Sequence, residues 1–127
     1  MAWSYMVEPQ DARASFAIFI GQTDATVSDE SGPHTQPVPF ETWVNGNEQP
    51  RGLGAIAKTL SMDMRSNDPA WLRLKLDALA GTRDDQPLQL AFPPQGLVIT
   101  KPGIVAAFAD IVRYRCEALG VFEAMED

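Results

Sequence analysis

The hydrophobic period of this chain changes near Leu53. Before that point, apolar residues alternate or run in short aromatic and β-branched blocks. After it, they recur every three or four positions in three segments, with only weak strand signals between the second and the third. A chain of this kind makes a sheet first and helices afterwards, which predicts an α+β fold rather than alternating βαβ units.

The blocks place the elements. Trp3 to Glu8 reads as a short strand closed by Pro9, and Asp11 to Ala14 as a turn. Ser15-Phe16-Ala17-Ile18-Phe19-Ile20, ended by Gly21, reads as a buried strand, so the two should form a hairpin. Residues 22–39 are polar and carry Gly32, Pro33, Pro37 and Pro39, which predicts a flexible loop. Phe40 to Asn45 resumes strand character, with Phe40, Thr42 and Val44 on one face and Glu41, Trp43 and Asn45 on the other. Asn45-Gly46-Asn47 then turns the chain.

Leu53, Ile56, Ala57, Leu60 and Met64 form one helical face. Asp68 followed by Pro69 is a helix-start signal, because the carboxylate can cap the backbone N–H groups and proline lacks the donor that a first turn leaves unused. The second helix carries Trp71, Leu72, Lys75, Leu76 and Leu79, with Gly81 as its C′ residue. So short a link predicts a helix hairpin. Leu88–Phe92 and Leu97–Ile99 are weak strand candidates separated by Pro93-Pro94. Ile104, Val105, Phe108, Ile111, Val112, Cys116 and Leu119 mark a C-terminal helix ended by Gly120, and residues 121–127 read as a fraying acidic tail. The expected architecture is one domain over 1–127: a small antiparallel sheet of three or more strands, backed by the helix hairpin and the C-terminal helix.

Composition narrows the function. The net charge of −7 argues against a nucleic-acid partner, since phosphate backbones require a basic surface. No apolar run approaches the roughly 20 residues that span a bilayer. No export signal is visible at Met1–Tyr5, which leads to the expectation of a cytoplasmic protein without membrane contact. Cys116 is the only cysteine and His34 the only histidine. A cysteine-rich zinc site and a disulfide framework within the chain are therefore excluded. His34, in a proline-rich loop, reads as solvated rather than catalytic. Cys116, on an apolar stripe with no histidine in its helix, reads as a small core residue.

Gly52 to Thr59 spells G-L-G-A-I-A-K-T, one residue from a phosphate-cradling loop. Ala57 stands where that motif needs glycine, and it falls on the apolar helix face. Gly52 and Gly54 then read as a strand-to-helix corner with Lys58 solvated. A small nucleotide- or phosphate-binding domain using Arg51, Gly52, Gly54 and Lys58 at this corner is the alternative reading. Asp63 is expected to pair with Lys58, Arg65 or Arg73. Trp43 and Trp71 are expected to be core or partly buried.

One stretch carries a family resemblance. Pro39, Phe40, Trp43, Val44 and Gly46 are followed by Pro50, Arg51 and Leu53. Next come Lys58, Leu60, Ser61-Met62-Asp63-Met64-Arg65, and then Asp68-Pro69-Ala70-Trp71. This pattern resembles the C-terminal accessory (TSCPD-like) domain of adenosylcobalamin-dependent (class II) ribonucleotide reductases, and it covers about a third of the chain. The resemblance implies an accessory or interaction domain, in an excised or stand-alone form, within the enzymology of DNA-precursor synthesis. It implies no catalytic residue, metal or cofactor on this chain, because cobalamin belongs to the family's catalytic barrel and its radical chemistry needs several cysteines. The partner it implies is a reductase catalytic chain, with self-association as a further possibility. Trp43, Arg51, Lys58, Asp63, Arg65 and Trp71 are the candidate interaction or structural residues, with Asp63 and Arg65 as an ordered pair.

Overall fold

A computed structural model describes residues 2–9, 16–29, 32–45, 52–66, 68–83 and 87–122, with the side chains of 27–29 left aside. The elements run β1 (Ala2–Val7), β2 (Phe16–Asp29), β3 (Gly32–Asn45), α1 (Leu53–Arg65), α2 (Pro69–Ala80), β4 (Leu88–Phe92), β5 (Leu97–Lys101) and α3 (Ile104–Ala118). β1, β2 and β3 form an antiparallel sheet in that order, and β4 and β5 form a separate hairpin. The fold class is α+β, as the change of period predicts.

Alternation sets the inner face of the sheet. Phe16, Ile18 and Ile20 of β2 and Val44 of β3 are buried. Phe19 and Trp43, paired across the strands, stand on the opposite face. α3 is the central helix. Its residues 106–112 and Cys116 are buried, so it is apolar around much of its circumference and takes neighbours on several sides. Two of the glycines at positive φ bound helices. Gly52 adopts φ +82 at the start of α1. Gly120 adopts φ +80 after α3, where the Val121 N–H reaches the Cys116 carbonyl and the Gly120 N–H reaches that of Glu117. That double bond pattern satisfies carbonyls that the helix end leaves open.

Four expectations need correction. Residues 22–39 are not a loop: β2 and β3 continue as a two-stranded ribbon, paired from Gln22↔Pro39 to Asp29↔Gly32 past an irregularity at Gly21/Gln22. The prolines permit this because Pro33, Pro37 and Pro39 sit at odd positions, where a strand turns its N–H away from its partner and loses nothing by lacking one. α1 and α2 do not pack as an extended hairpin. α1 lies along β3, while α2 has α3 as its main helical neighbour. α1 sends its buried stripe of Leu53, Ala57, Leu60 and Met64 to the sheet; α2 buries only Leu72 and Leu76. Gly81 stays right-handed, at φ −87, and ends α2 without a left-handed turn. Phe122 is buried and lies under the Arg73 guanidinium, so the packed chain continues through it. The expected turns at 11–14 and 46–47, and the tail from 123, lie outside the described residues. Among the described residues no helix is long and apolar enough to cross a membrane.

Candidate functional site

The residues singled out by sequence gather along the two flanks of α1. On the flank facing β3, Ser61 is buried, and its hydroxyl accepts the Thr42 N–H at 2.9 Å. The same hydroxyl lies 3.0 Å from the Thr42 carbonyl and 3.0 Å from the Ala57 carbonyl, one of which takes its proton. Thr42 in turn donates its own hydroxyl to the Phe19 carbonyl at 2.9 Å. A helix side chain therefore completes the backbone pairing of β3 at its outer edge. One turn to either side of Ser61 lie Lys58 and Arg65, both exposed. Arg65 pairs with Glu41 at 3.6 Å, in a geometry open to solvent. Trp43, next to Thr42, stacks on Phe19 with 5.2 Å between ring centroids and 38% of its surface exposed.

On the other flank, Asp63 connects α1 to α2. It accepts the Trp71 indole N–H at 2.9 Å and pairs with Lys75 at 2.7 Å. Lys75 also donates to the Thr59 hydroxyl at 3.1 Å. Asp68 caps α2 by accepting the Trp71 backbone N–H at 3.1 Å. The Ser61–Trp71 block is thus a helix corner in which one residue closes a sheet edge and two carboxylates hold the second helix. Asp63 pairs with Lys75, not with Lys58, Arg65 or Arg73, and Arg65 reaches the sheet instead. Trp71 is 51% exposed, partly buried rather than core, and Met62 (66%) and Leu74 (62%) are exposed on the same two helices.

The remaining candidates divide clearly. Arg51 lies outside the described residues. Gly52 starts α1 and its carbonyl accepts the Ile56 N–H. Gly54 is inside the helix, so the corner uses one glycine, not two. Lys58 sits in the second turn, away from the first N–H groups. A cleft of about 90 Å³ opens where β3 meets the corner, between Gln36, Asp63, Asp68, Pro69 and Leu72. Ligand pockets for organic molecules start at about 300 Å³, so this space is too small for a nucleotide. His34 lies in β3, with ring nitrogens 3.4 Å from the Gly32 carbonyl and 3.2 Å from Gln36 Oε1. Cys116 is fully buried, as expected, and burial pushes its thiol up to about 12, so it remains protonated at neutral pH.

One cluster has no counterpart in the sequence reading. Asp110 of α3 is buried and pairs with Lys101 of β5 and, at 2.5 Å, with Arg113, which extends to Asp77 of α2 at 2.7 Å. Burial opposes the Arg113 charge, but the hydrogen bond to Asp77 and the nearby Asp110 more than offset it and raise its pKa. The network joins three elements, which is a structural task. Among the described residues, no group of three or more His, Cys, Asp or Glu has metal-holding geometry. Comparison with protein-family models, curated proteins and solved structures finds no match to this chain.

Proposed function

We propose that this chain is a non-catalytic interaction domain of the kind that class II ribonucleotide reductases carry as an accessory domain. Its docking surface is the outside of the α1–α2 corner and the adjoining sheet face. One observation carries this reading. The block that bears the family resemblance acts as a structural unit, with Ser61, Asp63 and Asp68 holding it together while Met62, Trp71 and Leu74 stay exposed. A rigid corner that leaves a tryptophan half-exposed suits a docking anchor, because aromatic side chains dominate interface energies when a partner desolvates them. Trp43, stacked on Phe19, adds a second exposed ring.

The test is association with a class II reductase catalytic chain that lacks its own accessory domain, followed by sedimentation at micromolar concentrations. The expected outcome is a complex that Trp71→Ala weakens and that Trp43→Ala with Arg51→Ala weakens further. No complex with the intact chain, or one indifferent to all three substitutions, contradicts the reading. Calorimetric titration with ATP, dATP and phosphate tests the competing anion site at Arg51–Lys58. Light scattering on the isolated chain detects self-association.

A further inference from the structure

The ribbon formed by the far halves of β2 and β3 has two edges, and they are built differently. In an antiparallel pair, alternate residues turn both N–H and C=O toward the partner or both away from it. Pro37 and Pro39 have no N–H to give, so they occupy away-facing positions. Their partners Asp24 and Gln22 then also face outward, along the opposite edge of β2. By the period of two, Thr26 does the same. Ile18 and Ile20 have the same parity, and there β1 lies alongside, from Val7↔Phe16 to Ala2↔Gly21. Beyond Gly21 the described β1 has ended. Arg115 reaches the side chain of Gln22 at 2.8 Å, at the base of the ribbon. Past it, Thr23, Asp24 and Thr26 are exposed, and among the described residues no hydrogen bond from outside the ribbon reaches the backbone of Asp24 or Thr26.

Proteins blunt such edges with proline, lysine or a covering element. The β3 edge has all but lysine: three prolines, the Ser61 clasp and the α1–α2 corner. Past Gln22, the β2 edge has none of them among the described residues. From Phe16 to Asp29 it contains no proline, lysine or arginine. The absence of cations is wider still. Residues 14–50 hold no lysine or arginine and five acidic residues, Asp24, Asp29, Glu30, Glu41 and Glu48. Any occupant therefore meets an acidic hairpin with no lysine or arginine of its own, Arg115 being the cation at its base.

We propose that the outer edge of β2 beyond Gly21 is a strand-addition site, and that its occupant is an extended, lysine- or arginine-bearing segment of a partner protein. The segment would continue the sheet on the β1 side, pairing its backbone with Asp24 and Thr26 and placing its basic side chains near the Asp24 carboxylate. Main-chain bonds supply affinity in this mode of recognition, and side chains supply the choice of partner. A second copy of the chain is the poorer occupant. It would bring two Asp24 carboxylates and two chains of net charge −7 together. This site is separate from the helix corner and does not depend on the reductase resemblance.

The experiment uses the isotopically labelled full chain and two capped decapeptides that alternate Val/Thr with Lys, or Val/Thr with Glu. Titration is followed by NMR, with amide exchange measured in the free and loaded states. The lysine peptide is expected to bind saturably and slow exchange at Asp24 and Thr26 by about ten-fold or more, the factor associated with gaining one backbone hydrogen bond. The glutamate peptide is expected not to bind. Thr26→Pro removes an outward donor without removing a ladder bond, so it should weaken lysine-peptide binding about ten-fold and leave the fold intact. Should that variant fail to fold, Asp24→Lys serves instead, weakening the lysine peptide and favouring the glutamate one. No saturable binding at millimolar lysine peptide, equal binding of both peptides, or edge amides protected by raising protein concentration alone would each overturn the assignment.

Discussion

The two edges of the β2–β3 ribbon are made of the same backbone and meet opposite fates. On the β3 side, α1 lies along the strand and the Ser61 hydroxyl accepts the Thr42 N–H. Further along, the prolines leave little for another strand to pair with. On the β2 side, β1 covers the first six residues and nothing described covers Asp24 or Thr26. The difference teaches that the sheet is finished by side chains and imino acids on one edge and, over Phe16–Gly21, by a strand on the other. An edge finished in that way is closed only as far as its strand reaches.

Four substitutions probe this contrast, in order of expected effect. Leu60 is fully buried and anchors α1 against the sheet, so Leu60→Ala should cost about 2–5 kcal/mol in chemical denaturation and loosen the closed edge. A loss below 1 kcal/mol would mean that α1 does not hold that edge. Ser61→Ala leaves the buried Thr42 N–H without its acceptor and should cost about 1–3 kcal/mol. It should also speed Thr42 amide exchange while leaving Asp24 and Thr26 unchanged. Asp68→Ala removes the cap of α2 and should lower stability by about 1 kcal/mol, with no effect on Thr42, since this cap acts on α2 rather than on the strand. Thr26→Pro, on the open edge, should change stability by no more than about 0.5 kcal/mol. A large loss there would show that the β2 edge is engaged in the isolated chain.

Much of the helical half was legible in the residues. The stripe Leu53, Ala57, Leu60 and Met64 is one face of α1, and Asp68-Pro69 marks the start of α2, because caps and periods are local physics. The far ribbon was not legible. Pro33, Pro37 and Pro39 signal a loop when counted, and an edge strand only when their shared parity is set against a partner strand. The pairing of α2 with α3 and the Asp63–Lys75 contact depend on where separate helices come to lie, which spacing within one helix does not contain. Ser61 could have been found: it shares the buried face with Ala57, Leu60 and Met64, and a hydroxyl there must have a partner. The exposure of Trp71 was hidden because its indole N–H is satisfied by Asp63 at the surface, so residue type alone points inward.

The most direct measurement is amide hydrogen exchange, residue by residue, on the chain alone. Thr42 on the clasped edge should exchange slowly, near the limit set by global unfolding, and Asp24 and Thr26 on the open edge should exchange at least about a hundred-fold faster. Thr23 and Ala25, which face β3, should be slower than their even-numbered neighbours. Equal protection at Asp24, Thr26 and Thr42 would contradict the contrast between a closed edge and an open one.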